Sequence, residues 1–401
     1  MQRNYVYVAA LGHFFCDIGM GALPAVLPVF IETYNMDYQS VAGLMFASCF
    51  LSSVVQPLFG WLADRSSKSW LMALGIFLSG GAMGLTGVFE NYWAIFAVVT
   101  VSGIGSAIFH PEAARMVHKL AGEKRGTALS IFSVGGNGGF ATGPVVAVAA
   151  IAAFGLQGMA VFGVLAVFMA VVLLVMVPKM KANAVEPAHT SAASSEKGNH
   201  PGSAVNDWAS FGRLTLLIVF SSIVICGLRS FIPLYLVGVS GFSTAEAGSA
   251  LTLLFMFGVV TTLVGGVLAD RIGYLKVVQI SYVLLVPMVG LLSQATNMLA
   301  CYALMIPIGF AMFAPFSSMV VLGQSYLARS IGFASGVTLG LTFSVGGMFV
   351  PLLGSFADRH GLPIMMELLT VVAACAALCA FFLPRPASAK AKTKAVPVKA
   401  L

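Results

Sequence analysis

Gly60-Trp61-Leu62-Ala63-Asp64-Arg65 closes one long apolar run, and Gly266-Val267-Leu268-Ala269-Asp270-Arg271 closes another, at an offset of 206 residues. Phe109 and Pro111 recur as Phe313 and Pro315, and Ser133-Val134-Gly135-Gly136 recurs as Ser344-Val345-Gly346-Gly347. Three matches in the same order at a nearly constant offset mark a duplicated unit. Working outward from them, the first half holds apolar segments at 5–31, 41–63, 70–89, 93–117, 126–152 and 157–177. The second half holds them at 212–236, 245–269, 275–293, 298–323, 332–356 and 362–383. Each is about as long as a helix needs to cross a ~30 Å hydrocarbon core. The pattern predicts an all-α membrane protein with twelve transmembrane helices in two pseudo-symmetric six-helix bundles, 1–180 and 211–385. A linker at 181–210, without Leu, Ile, Phe or Met, joins them, and a basic tail follows at 386–401. Both read as flexible.

Composition agrees. Of 401 residues, 59% are hydrophobic and 9% charged, with a mean hydropathy of +0.96. A soluble domain carries about 25% charged residues, so a soluble enzyme, a nucleic-acid-binding domain and a disordered scaffold are excluded. Long apolar/polar alternation is too scarce for a β-barrel. The net charge of +7 follows topology: with both termini cytoplasmic, all of the 21 basic residues except Arg229 and Arg359 lie in cytoplasmic segments or at the adjoining helix ends. That is the positive-inside pattern, and it makes the basic excess a topology and lipid signal rather than a nucleic-acid footprint. The six cysteines lie within apolar segments and read as small buried hydrophobes.

GWLADRSSK resembles the loop between the second and third helices of the major facilitator superfamily. The match runs through Gly60, Leu62, Ala63, Asp64, Arg65 and Lys68, with Ser67 standing where the family pattern has Gly. The resemblance implies a major facilitator fold and a conformational latch at Gly60, Asp64 and Arg65, repeated at Gly266, Asp270 and Arg271; a plain topology anchor fits the same residues. Gly139-Phe140-Ala141-Thr142-Gly143-Pro144 resembles the family's antiporter-type helix motif, with Gly139, Gly143 and Pro144 matching. HFFCD, Gln56-Pro57, IFHPEAAR and SIFSVGGNGG together resemble the fosmidomycin-resistance group of that superfamily. This resemblance implies a proton-driven efflux pump of the bacterial inner membrane, working as a monomer on small drug-like or anionic compounds. A proton-coupled importer of a metabolite or sugar is the alternative on the same fold; a membrane-embedded enzyme or receptor is the alternative outside it.

Ionisable groups inside a membrane are costly and face the bundle interior, so each is a functional candidate. Asp17 lies near the middle of the first segment, and His13, one turn earlier, shares its face. That pair suits reversible protonation; a static hydrogen bond between helices is the other reading. His110 and Glu112 in the fourth segment are further proton candidates, with Arg115 three residues beyond Glu112 able to pair with it or to bind an anion. Arg229 in the seventh segment has no acidic residue in its own helix, and it is either a substrate contact or a snorkelling side chain. Gln56, Asn137 and Gln324 are neutral polar candidates for the substrate cavity. No Walker-type sequence is present, and no cofactor is expected. No metal is expected either, because His13, Asp17, His110 and Glu112 could converge only if the first and fourth segments meet.

Overall fold

In a computed structural model of the chain, the residues described are 1–48, 68–121, 125–184, 206–328 and 330–385. They form α1 (Arg3–Tyr34), α2 (Tyr38–Phe46), α3 (Leu71–Leu85), α4 (Tyr92–Ala121), α5 (Arg125–Phe154) and α6 (Ala160–Ala182) in the first half, with a 3-10 turn (Gly155–Met159) before α6. The second half contains α7 (Trp208–Gly238), α8 (Thr244–Ile272), α9 (Tyr274–Leu292), α10 (Met298–Phe313), α11 (Pro315–Tyr326), α12 (Ile331–His360) and α13 (Leu362–Phe381). Each of the twelve expected segments contains helix, and α10 and α11 share one, divided at Ala314 where Pro315 opens the next helix. No strand occurs among the described residues. Among the described residues, eight helical stretches are long and apolar enough to cross a bilayer. Trp93, Phe154 and Leu299 are each more than two-thirds exposed (69%, 74% and 79%). Such a surface suits hydrocarbon rather than water as solvent.

Turns between helices carry their own punctuation. Asp37 caps α2 by accepting the backbone N–H of Ser40, and Asn297 caps α10 by accepting those of Leu299 and Ala300. These side chains satisfy N–H groups that a helix start leaves without partners.

The described chain divides into two compact units. One comprises Met1–His200 with Arg229–Met256 and Met348–Leu362; the other comprises Pro201–Leu228, Phe257–Gly347 and Pro363–Leu401. Helices α7, α8 and α12 thus contribute to both, so the division does not follow the linker.

Within the first unit α5 packs against α1 through a stripe of small residues. A Cβ at Gly135 would lie 2.0 Å from the Ala10 carbonyl oxygen, at Gly139 2.4 Å from that of Phe14, and at Gly143 2.3 Å from that of Ile18. Only glycine permits this approach, which explains the Gly139–Gly143 spacing as a helix contact. The second unit repeats it: a Cβ at Gly346 of α12 would lie 2.1 Å from the Ser222 carbonyl oxygen of α7. The Ser133–Gly136 and Ser344–Gly347 repeat in sequence is therefore a repeated helix contact. Matching Ala10 with Ser222 aligns α1 with α7, and the same offset places Arg229 at the position equivalent to Asp17.

Candidate functional site

Helices α1, α4 and α5 bring three titratable side chains together. Asp17 is buried, at 4% exposure. One carboxylate oxygen lies 3.2 Å from His13 Nε2, and the other lies 3.2 Å from His110 Nε2. The two Nε2 atoms are 3.1 Å apart. Spacing explains half of this: residues four apart on a helix share a face. Contact between α1 and α4 supplies the rest, so the condition for convergence set by the sequence is met.

The far side of each ring is anchored. His13 Nδ1 lies 2.8 Å from the Phe132 carbonyl oxygen, and its ring stacks on Phe132 at 4.1 Å. His110 Nδ1 lies 2.8 Å from the Ser106 carbonyl oxygen, with Ser106 Oγ 3.1 Å away. A carbonyl oxygen only accepts, so Nδ1 of each ring donates and carries the hydrogen. In a neutral ring Nε2 then presents a lone pair. Two such lone pairs facing each other and a carboxylate repel at these distances unless a proton lies among them. An arrangement of this kind can hold a shared proton. The same three side chains form the group, among the described residues, whose ligand-type atoms all lie within 4.8 Å of one another, a spacing a metal ion could also use.

Gly136 forms one wall. A Cβ there would lie 2.4 Å from His13 Cε1 and Nε2. Sequence reasoning noticed Gly136 only as part of a repeat; its role is to leave room for the imidazole. Ser106 and Phe132 escaped notice because carbonyl contacts between helices carry no residue signature.

Glu112 is placed elsewhere. Although two residues from His110, it lies about 200° around a helix of 3.6 residues per turn. It is buried and lines a cavity of about 70 Å³ with Ser69, Arg115, Met116, Lys119, Lys181 and Ala184. His110 thus joins His13 and Asp17, whereas Glu112 lines the same small cavity as Arg115, the residue three positions on.

Arg229 is buried at 8% exposure. Its Nη2 donates to the Met20 carbonyl oxygen at 3.1 Å, and its guanidinium lies 4.5 Å from the Phe140 ring centre and 5.8 Å from that of Phe255. Asn137 is exposed on α5, and Gln324 is half-buried on α11. Arg115 lines the Glu112 cavity, whereas Arg229 lies against Met20, Phe140 and Phe255. Gln56, Gly60, Asp64 and Arg65 lie outside the described residues. In the second loop Asp270 accepts a hydrogen bond from the Tyr274 hydroxyl at 2.7 Å, while Gly266 and Arg271 flank it on α8. Sequence reading also missed Asp358, at the end of α12. Its carboxylate accepts the backbone N–H groups of Tyr38 and Gln39 at 2.8 and 2.9 Å, so it completes the start of α2 across the fold.

Membrane-length apolar helices with ionisable groups buried among them define an integral membrane protein. The family model of the Major Facilitator Superfamily matches residues 9–351, and the chain belongs to that family. It is 29% identical over 370 residues to an uncharacterized MFS-type transporter, YfnC, of Bacillus subtilis, covering 90% of this chain and 88% of the relative. It is 26% identical over 366 residues to the fosmidomycin resistance protein of Escherichia coli, covering 90% and 87%. Among solved structures, a bacterial homolog of the human lysosomal transporter Spinster, in an inward-facing and occupied conformation, superposes with a TM-score of 0.78 at 16% identity, covering 96% of this chain and 97% of that one. The chain is a transporter, not an enzyme.

Proposed function

We propose that the protein is a proton-coupled antiporter of a bacterial inner membrane that exports small anionic or drug-like compounds. The observation that carries this reading is the convergence of His13 and His110 on Asp17. A buried carboxylate bracketed by two anchored imidazoles can take up and release protons with little rearrangement, because both Nδ1 anchors stay in place while Nε2 gains or loses hydrogen. In the proposed cycle, protonation of the Asp17 group from the outside precedes opening to the cytoplasm. Release of the proton there leaves the site ready for substrate. Glu112 and Arg115, in their own cavity, act as a second, later proton and anion station. The termini lie in the cytoplasm, as the positive-inside pattern implies, and the monomer is the working unit. The similarity to a fosmidomycin resistance protein supports phosphonates as candidate cargo.

The test uses purified protein in vesicles with an imposed proton gradient and a radiolabelled phosphonate. Extrusion of the compound against inward proton flow is expected. Accumulation together with protons would replace export by symport. Transport by Asp17→Asn with undiminished dependence on the gradient would remove the proposed proton role.

A further inference from the structure

Met20 sits four residues before Pro24 in α1. A helical carbonyl normally accepts the N–H four residues on, and proline has none, so the Met20 carbonyl lacks its α-helical donor. Arg229 supplies one from α7. Two aromatic rings lie beside its guanidinium, that of Phe140 at 4.5 Å and that of Phe255 at 5.8 Å. No carboxylate forms an ion pair with it among the described residues, and its buried Nε has no hydrogen-bond partner. A buried guanidinium held by a carbonyl and aromatic faces is satisfied weakly compared with one on an anion, which it can grip through two parallel bonds. Its position is also informative. Arg229 occupies in the second repeat the place that Asp17 occupies in the first, and transporters built from repeats bind their cargo between equivalent elements.

We infer that Arg229 is the anion receptor of the transport path and, when no anion is bound, the latch that fastens α7 to the carbonyl exposed by Pro24 in α1. An entering solute with a phosphonate, phosphate or carboxylate group draws the guanidinium off Met20, while Phe140 and Phe255 accept its apolar part. Occupancy thereby loosens the α1–α7 contact. This inference rests on the export reading for its choice of anionic cargo, but its test uses no proton gradient, so the two can fail separately.

The experiment places spin labels at the exposed positions Thr33 and Val239, at the ends of α1 and α7, in full-length protein in lipid nanodiscs. The probe is phenylphosphonate. In the wild type, the distance distribution should broaden to longer values as the probe is added. Arg229→Gln should start from the longer distribution, ignore the probe, and bind it about 10-fold or more weakly. Arg229→Lys should retain part of the affinity, since a lysine keeps the charge but not the fork. Pro24→Ala is the second variant, because it returns an N–H to the Met20 carbonyl while leaving Arg229 intact. It should lengthen the starting distances yet still bind the probe. Wild-type starting distances in both Arg229→Gln and Pro24→Ala would overturn the latch. A probe that binds Arg229→Gln as tightly as wild type, or leaves the wild-type distances unchanged, would overturn the anion receptor.

Discussion

Replacing Gly136 by alanine tests how tightly the proposed proton site is built. The added Cβ would lie 2.4 Å from His13 Cε1 and Nε2 and 2.8 Å from Cδ2. Ordinary carbon contacts are about 3.5–4.0 Å, so the ring must retreat by about 1 Å. Stacking on Phe132 at 4.1 Å and the 2.8 Å bond from Nδ1 to its carbonyl leave little room for that. A retreat of this size stretches the 3.2 Å contact between Nε2 and Asp17 to about 4 Å, beyond hydrogen-bonding range. Hydrogen bonds to charged groups contribute about 1.5–3 kcal/mol, which corresponds to a loss of about 10- to 100-fold in proton-driven transport. Overpacking should also lower stability by about 1–3 kcal/mol. Gly138→Ala is the matched control, because a Cβ there meets Phe14 Cδ2 at an ordinary 3.4 Å. Both variants would be assayed in vesicles with an imposed pH gradient, with thermal melting to follow folding. Wild-type transport by folded Gly136→Ala would refute the packing argument.

Three further outcomes follow from the same contacts. Gly139→Val places a branched side chain where a Cβ alone would sit 2.4 Å from the Phe14 carbonyl oxygen; it should separate α1 from α5 and lower the melting temperature more than Gly138→Ala does. Asp358→Ala removes the acceptor for the Tyr38 and Gln39 N–H groups and should destabilise the fold by about 1 kcal/mol, read as a lowered thermal midpoint, whereas an unchanged midpoint would make that contact incidental. Asp207 accepts hydrogen bonds from the backbone and hydroxyl of Ser210 at the start of α7, and these bonds hold its carboxyl below the usual carboxylate range. Its contribution is therefore complete above the unperturbed value of about 3.9 and fades as pH falls through the lowered folded value. The stability gap between wild type and Asp207→Ala should be about 1 kcal/mol near neutrality and should close on acidification.

Much of the architecture was written in hydropathy and in repeats, because a bilayer demands long apolar helices and a duplicated unit leaves its own echoes. The pairing of His13 with Asp17 was legible for a similar reason: four residues on a helix return to one face. His110 was legible only as a candidate, since its arrival depends on how α4 meets α1. Its separation from Glu112 follows from helical periodicity and was available in the sequence. The anchors at Phe132 and Ser106 were not, because any residue offers a carbonyl. The same applies to Arg229, whose acceptor is Met20 only because Pro24 withdraws the usual donor. Asp358 sits at a helix end that composition marks as ordinary surface, and its partners are backbone groups 319 and 320 residues away.

The most direct test of the account is substrate-induced proton movement in vesicles carrying a trapped pH indicator. Adding a transported phosphonate to wild-type protein should drive protons across the membrane in the direction opposite to the compound. Asp17→Asn should show no such movement while still exchanging labelled for unlabelled compound. Proton movement by Asp17→Asn equal to that of wild type would contradict the assignment of the proton to the His13–Asp17–His110 site.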